Sequence, residues 1–513
     1  MKKYLFILFA LLVCGLFLVG CNASDGNLKN PFDGKDDTVD TNEDIVYSTG
    51  FRYMLSWDET SYEIVGIGSC TDTELVIPTE YDGLPVSKIR NCAFKDCKNI
   101  TSVQMFDNIT ELYSGTFSGC TSLKNVILPD GFLYLDDHVF EGCPIETIVL
   151  PDGTQTIGFY AFSQCVELKN ITIPQTVTQI GWNAFEGCTG LTQISLPNNL
   201  TVLNAYTFRG CTALENIVIP DSVSSISVEA FKGCTNLTNV TLGNGVTDIK
   251  DSAFEDCTNL TSISIPSSVK SIGHSAFHKC TELKSISFGE GLTSIGSNAF
   301  YDCWGLTEVV LPNGLTEIGT SAFYHCIGLT KISIPDSIES IGSSAFSSCV
   351  ALTSISIPNS VTYVGTSIVS GCKNLKRTFY NNCFYIGSDE NPFLFLDSAN
   401  AKNAMVSYWL HPNTRFINFG TFEKCEKLSY ITIPQGVTNI PQSAFLSCKA
   451  LTKITIPNSV TSISRDAFNN CKALEIIIFE GTMEEWNAIK KSENWDAETE
   501  KYTVQCTDGT INK

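Results

Sequence analysis

The chain has 513 residues, 43% hydrophobic and 17% charged, with a formal net charge of −21. That apolar content is enough to bury a core and excludes a wholly disordered chain. The acidic balance excludes nucleic-acid binding, which needs basic patches to neutralise phosphates.

Met1-Lys2-Lys3 is a short positive start, Tyr4 to Val19 is almost unbroken apolar sequence, and Leu18-Val19-Gly20-Cys21 ends it before polar residues. A positive start, an apolar core and small residues before a cut point make a secretory signal. The run is short for a bilayer span, which takes about 20 residues. An ordinary cleaved signal and an uncleaved anchor are the plainer readings. Leu-Val-Gly-Cys resembles the lipobox of bacterial lipoproteins. The resemblance implies removal of residues 1–20, lipid attachment at Cys21, and a secreted chain anchored in the bacterial membrane and displayed at the cell surface. Residues 21–46 then form an acidic tether, in which Asp25, Asp33, Asp36, Asp37, Asp40, Glu43 and Asp44 face only Lys29 and Lys35. Such a segment buries too little surface to offset the entropy of ordering and is expected to stay flexible.

From residue 90 a repeat takes over. Cysteines stand at 97, 120, 143, 165, 188, 211, 234, 257, 280, 303, 326, 349 and 372, then at 425, 448 and 471. The spacing is 23 throughout, apart from one interval of 22 and one of 53. Counting Cys as zero, apolar residues recur at offsets 3, 6, 8, 12, 15, 19 and 20, as in the unit that opens at Cys257. Phe precedes the Cys by three residues everywhere except at Val369. A period of this length with Leu-x-x-Ile-x-Ile is a leucine-rich-repeat signature. Offsets 6 and 8 alternate and are rich in β-branched residues, which predicts a short strand. Pro at offset 9 (Pro174, Pro220, Pro266) ends it, and Gly at offset 16 (Gly181, Gly273, Gly296) marks a second turn. The expected fold is a β-rich, right-handed solenoid of stacked 23-residue coils with one parallel sheet face, in which like side chains stack on like.

Residues 47–513 look like the BspA-like leucine-rich-repeat family of bacterial surface proteins. The opening Tyr53-Met-Leu-Ser, Tyr62-Glu-Ile-Val and Leu75-Val-Ile-Pro are similar to that family's N-terminal cap; Gly481-Thr-Met-Glu-Glu-Trp486 and Val504-Gln-Cys-Thr-Asp-Gly resemble its C-terminal end. The resemblance implies surface display and a role in adhesion or partner binding, without naming a ligand. It divides the chain into an N-terminal β cap and first coil at 47–89, repeats at 90–372, an aromatic-rich hairpin insertion at 373–401, repeats at 402–480 and a C-terminal cap at 481–513. Thr482-Met-Glu-Glu485 is a capping box, and a short helix is expected to follow it.

The 22 cysteines admit three readings. Disulfides between adjacent coils are the first, but translation-related side chains point the same way and would need distortion to bond. Zinc is the second, but a straight row of single thiols offers no tetrahedral cluster. A ladder of buried free thiols is the third and the favoured one, Cys serving as a small hydrophobe with a weak donor.

Catalytic motifs are lacking. Five histidines occur, at 138, 274, 278, 325 and 411; none stands in a zinc-protease pattern, and neither a nucleophile elbow nor a phosphate loop appears. No catalytic residue, metal ligand or cofactor is assigned, and the chain is read as a non-enzyme.

Binding surfaces remain. Outward positions on the strand, at offsets 5 and 7, carry small polar residues such as Asn170, Thr172, Ser262 and Ser264. Their bland reading is a solvated sheet face; aromatics are nearly absent there, so a glycan partner has little support. Tyr301, Trp304 and Tyr324 gather at one corner, and Phe159, Tyr160, Trp182 and Tyr206 at another; each is either an exposed patch or packing at a turn. The insertion brings Phe379, Tyr380, Phe384, Tyr385, Phe393 and Phe395 into two short strands around Gly387-Ser-Asp-Glu-Asn-Pro392. Insertions in solenoids often line a binding face, yet a hairpin that merely packs on the solenoid is equally consistent. The leading expectation is a lipid-anchored surface protein that binds a protein partner of the host or of another bacterium. An envelope-spacing lipoprotein without a ligand is the alternative, and a glycan-associated accessory protein the third.

Overall fold

The computed structural model describes residues 46–400 and 405–513. The signal, Cys21 and the tether up to residue 45 lie outside the described residues, as does the end of the insertion. The chain divides into two compact units, Met1–Asn199 and Leu200–Lys513.

Each unit is a stack of coils joined by parallel strands. In the first, Thr147–Val149 pairs in register with Asn170–Thr172, one repeat later. In the second, Asn216–Val218, Asn239–Thr241, Ser262–Ile265 and Ser285–Phe288 form one parallel sheet. The period-2 pattern sets the faces: Ile263 and Ile265 point inward, Ser262 and Ser264 outward. A second sheet, not foreseen from the sequence, runs beside the first. In the second unit it comprises eight two-residue strands from Val202–Leu203 to Tyr363–Val364. Each contributes one inward residue, such as Ile272 or Ile295. Two residues are too few to show a period, which is why only the turn beside them was legible.

The turn before each Cys replaces a helix with a third backbone ladder. Ser252, Phe254 and Asp256 donate their N–H groups to His274, Ala276 and His278 on the next coil, each at 2.8 Å. Beside the two-residue strands donors point the other way, as in Gly273 N–H to Ile249 O at 2.8 Å. Alternating residues can bond in one direction only because Ser252 (φ 55°) and Asp256 (φ 59°) adopt the left-handed conformation. The corresponding positions elsewhere carry Gly, Asn, Asp or Ser in many coils, and for Gly, Asn and Asp that conformation is least costly. Every coil thereby satisfies its backbone through its neighbours.

Among the described residues the cysteines are free thiols, and those from Cys120 to Cys471 within the repeat are buried. Along the repeat the buried thiols donate to backbone carbonyls. Cys257 Sγ donates to Phe231 O at 3.2 Å and Cys120 Sγ to Phe94 O at 3.0 Å, the carbonyl of the ladder Phe one coil back. Phe94 O also accepts the Cys97 N–H at 3.1 Å, so both of its lone pairs are used. The rings stack in turn: Phe254, Phe277 and Phe300 lie nearly parallel with centroids 5.3 Å apart. At the start of the first unit Phe51 meets Phe94 edge-on at 5.6 Å. At the end of the second, Trp495 meets Phe468 edge-on at 5.9 Å. The capping box forms as expected at Thr482, opening the helix Met483–Ala488, and Trp486 of that helix is buried against Phe479.

The insertion is a three-stranded antiparallel meander. Thr378–Tyr380 turns into Cys383–Ile386 through Asn381 and Asn382, both at positive φ, as a two-residue hairpin turn of the primed type demands. Cys383–Ile386 then pairs with Phe395–Ala399 around the expected Gly387–Pro392 turn. Phe395 and Leu396 continue in parallel beside Phe416–Ile417.

Candidate binding surfaces

The corner of the second unit just before and after each Cys places three rows of side chains side by side. Two residues before the Cys stand Tyr301, Tyr324 and Ser347 on successive coils; one before stand Asp302, His325 and Ser348; one after stand Trp304, Ile327 and Val350. The ladder fixes the rows relative to one another: Asp302 N–H donates to Tyr324 O at 3.0 Å and His325 N–H to Ser347 O at 2.8 Å. Trp304 is 44% exposed, Ile327 37% and Val350 38%, an apolar strip across three coils.

The polar groups between the rows hold the aromatics in place. Asp302 Oδ1 lies 2.5 Å from His325 Nδ1 and accepts Trp304 Nε1 at 3.2 Å. Tyr301 and Tyr324 stack with centroids 4.7 Å apart, and burial pushes the Tyr301 hydroxyl up in pKa. His278 packs edge-on against Tyr301 at 5.1 Å and contacts Glu255 at 3.3 Å, while Lys232 pairs with Glu255 at 3.1 Å. The structure thus brings together Tyr301, Trp304 and Tyr324 and adds His325, Ile327 and Val350. The signal for these last three was available: His325 and Ile327 repeat the offsets of Asp302 and Trp304 one coil on, and Val350 that of Trp304 two coils on.

Trp182 belongs to the first unit. It is exposed and lies 5.9 Å from Phe159, beside a stacked His138–Tyr160 pair at 4.8 Å.

The insertion does not present its aromatics as a set. Tyr385 and Phe395 are core residues, buried with Leu394 and Leu396, and are corrected here from candidate contacts to packing. Inward alternation along Cys383–Ile386 and pairing of Phe395 with Phe416 put them there. The Tyr385 hydroxyl accepts the His411 N–H at 3.3 Å. Phe393 stacks on His411 at 3.7 Å, with Tyr380 at 5.6 Å; burial in this cluster lowers the His411 pKa. Phe379, 54% exposed, pairs across the hairpin with Phe384 at 5.1 Å.

The sheet face also holds aromatics that sequence reading passed over. Trp409, 70% exposed, and Tyr430 stand on the outward face of the sheet that begins with Ser407–Trp409. The Tyr430 hydroxyl bonds Thr432 Oγ1 at 2.5 Å and its ring lies under Lys453 at 6.0 Å; hydrogen bonding to Thr432 and Thr455, helped by the lysine charge, lowers its pKa.

Among the described residues no cluster of three or more His, Cys, Asp or Glu is placed to hold a metal ion, and no helix is long and apolar enough to cross a membrane.

Residues 87–215, 201–330, 293–404 and 395–492 match the family described as the BspA type leucine rich repeat region. The chain belongs to that family. Among solved structures, this BspA-type chain is similar to a leucine-rich repeat protein from Bacteroides ovatus, with 25% identity over 88% of this chain and 98% of the other at a TM-score of 0.56. It also matches a leucine rich cell surface protein from Faecalibacterium prausnitzii, at 26% identity, 86% and 96% coverage and a TM-score of 0.36. The pneumococcal vaccine antigen PcpA matches at 18% identity, 90% and 98% coverage and a TM-score of 0.39. No curated protein matches. Repeat proteins of this kind offer extended surfaces for binding.

Proposed function

We propose that this chain is a cell-surface lipoprotein, anchored through Cys21, that binds a protein partner and serves adhesion. The observation that carries the reading is the strip of Trp304, Ile327 and Val350 beside stacked Tyr301 and Tyr324. Exposed apolar groups scattered singly mean little, but a contiguous strip rimmed by polar residues is the usual mark of an interface. Trp and Tyr are also the residues that concentrate binding energy. The strip sits on a backbone fixed by ladders on both sides, so little ordering entropy opposes docking. The apolar signal and Leu18-Val19-Gly20-Cys21 support export and anchoring.

Adhesion of cells displaying the full chain to host-matrix and neighbouring-cell surfaces tests this, with Cys21→Ala as the comparison. The expected result is lipid on Cys21 by mass spectrometry and adhesion that is lost when the anchor is removed. A chain that is lipidated and displayed, yet adds no adhesion to any such surface, contradicts the reading and leaves an envelope-spacing role.

A further inference from the structure

We infer that the outward face of the sheet that begins with Ser407–Trp409 binds a sugar chain bearing carboxylates. This site is separate from the Trp304 corner and goes beyond the protein binding proposed above.

Two rings lie in this face. Trp409 is 70% exposed and stands in register with Thr432 on the next strand. Tyr430 precedes Thr432 by two residues, and its hydroxyl reaches Thr432 Oγ1 at 2.5 Å. The phenol therefore lies along its strand, with its hydroxyl end beside the strand of Trp409, about 4.8 Å away. Parallel pairing on both sides of Tyr430–Thr432 fixes these positions. The outward neighbours Ser407 and Thr432 are short, so the rings form a raised platform rather than the wall of a slot. In the earlier outward rows of this unit, from Asn216 to Ser356, no aromatic occurs.

The charge here reverses that of the chain. Residues 405–474 hold seven basic residues against three acidic, a balance of +4 within a total of −21. The three carboxylates are already paired: Glu423 with Lys424, Glu426 with Lys449 and Asp466 with Arg465. Lys427, Lys453 and Lys472 are left without a carboxylate partner. Lys453 stands on the face itself, its Nζ 6.0 Å from the centre of the Tyr430 ring, and Lys427 precedes Tyr430 by three residues. Neither outward row of the sheet contains Asp or Glu; Glu475 and Glu480 bound the patch on the coil beyond.

A pyranose ring carries C–H groups on its face and hydroxyls at its rim. The face suits an exposed indole, the hydroxyls suit Ser407, Thr432 and the phenol tip of Tyr430, and a carboxylate suits the uncompensated lysines. An acidic peptide would meet the same lysines, but side-chain anchors draw their energy from pockets, and this platform offers none.

The probe is a β-1,4-linked tetramer of glucuronic acid, titrated into the full chain by calorimetry, with cellotetraose and tetraglutamate alongside. Cellotetraose keeps the sugar backbone and removes the charge; tetraglutamate keeps the charge and removes the rings. Saturable binding of the tetraglucuronate is expected, at least tenfold tighter than of the other two and weakened by salt. Trp409→Ala should lower it at least tenfold, and its exposure leaves folding intact, as a melting curve will show. Lys453→Gln should lower it severalfold and flatten the salt dependence, while Thr241→Ala, on a sheet face without aromatics, should change nothing. No binding of the tetraglucuronate, or no effect of Trp409→Ala, overturns the inference. Equal binding of cellotetraose overturns the anionic class, and equal binding of tetraglutamate assigns the face to acidic peptides instead.

Discussion

Arg377 Nε lies 2.7 Å from Asp397 Oδ2, and the pair is largely withdrawn from solvent where the repeat gives way to the meander. Arg377 Nη1 also donates to Cys372 O at 3.3 Å and Leu375 O at 3.2 Å. Asn418 completes the seam: its Nδ2 donates to Asp397 O at 3.0 Å, and its Oδ1 accepts the Ser367 N–H at 2.8 Å. Burial outweighs the arginine, so the Asp397 carboxyl sits above the usual carboxylate range. Arg377→Ala should cost about 3–5 kcal/mol, because it strands a buried carboxylate. Hydrogen exchange should show the loss within residues 378–399. Replacing both partners, as Arg377→Met with Asp397→Leu, should cost less than the single change.

The thiol ladder predicts selective reactivity. Burial pushes Cys120, Cys234 and Cys471 up to about 12, and the thiolate is the reactive form. A thiol reagent at neutral pH should label the partly exposed Cys70, Cys92, Cys97 and Cys506 and leave the buried row untouched until the chain unfolds. The pH dependence has a definite sign. Folded-state values lie above the ordinary 9.0, so their contribution is complete below pH 9 and is lost as pH rises toward 12. Alkaline melting between those limits checks it; thermal stability that stays flat there would count against a protonated ladder.

Phe277→Ala removes a ring stacked between two neighbours at 5.3 Å each. The expected cost is about 3–5 kcal/mol. Because coils touch chiefly their neighbours, loss of exchange protection should stay close to coils 254–300. Simultaneous collapse of the whole array would contradict the stacked architecture.

Gly142 isolates the backbone term. Its φ is +71° and a Cβ there would meet nothing within 4 Å. Gly142→Ala should therefore cost about 1–2 kcal/mol from the left-handed conformation alone, and Gly142→Asn less. Chemical denaturation of the three chains orders them.

What was legible in the sequence follows from what repeats. The inward Ile263 and Ile265, the Phe277 row and the capping box at Thr482 were readable, because each repeats at a fixed offset or obeys a local rule. The second sheet was not, since Ser271–Ile272 is two residues long and carries no period. Trp409 was missed on the sheet face because the interval of 53 removed the cysteine from which its offset is counted; Tyr430, at offset 5 from Cys425, was legible and was passed over. In the insertion, aromatic content marked a special segment, but only pairing partners tell Phe379, at the surface, from Tyr385 and Phe395, in the core. Deletion of 373–401 would thus remove core, and single substitutions are the sounder probe of that segment.

The most direct measurement is the affinity of the full chain for the matrix or cell surface to which it adheres, with Trp304, Ile327 and Val350 all changed to Ser. All three side chains are partly exposed at the turn, so folding should survive, as a melting curve will show. Binding should weaken at least tenfold, about 1.4 kcal/mol, while the same triple change at Ile127, Val149 and Val218 on the outward sheet positions leaves it intact. Unchanged affinity in the first variant would contradict the assignment of this corner as the contact surface.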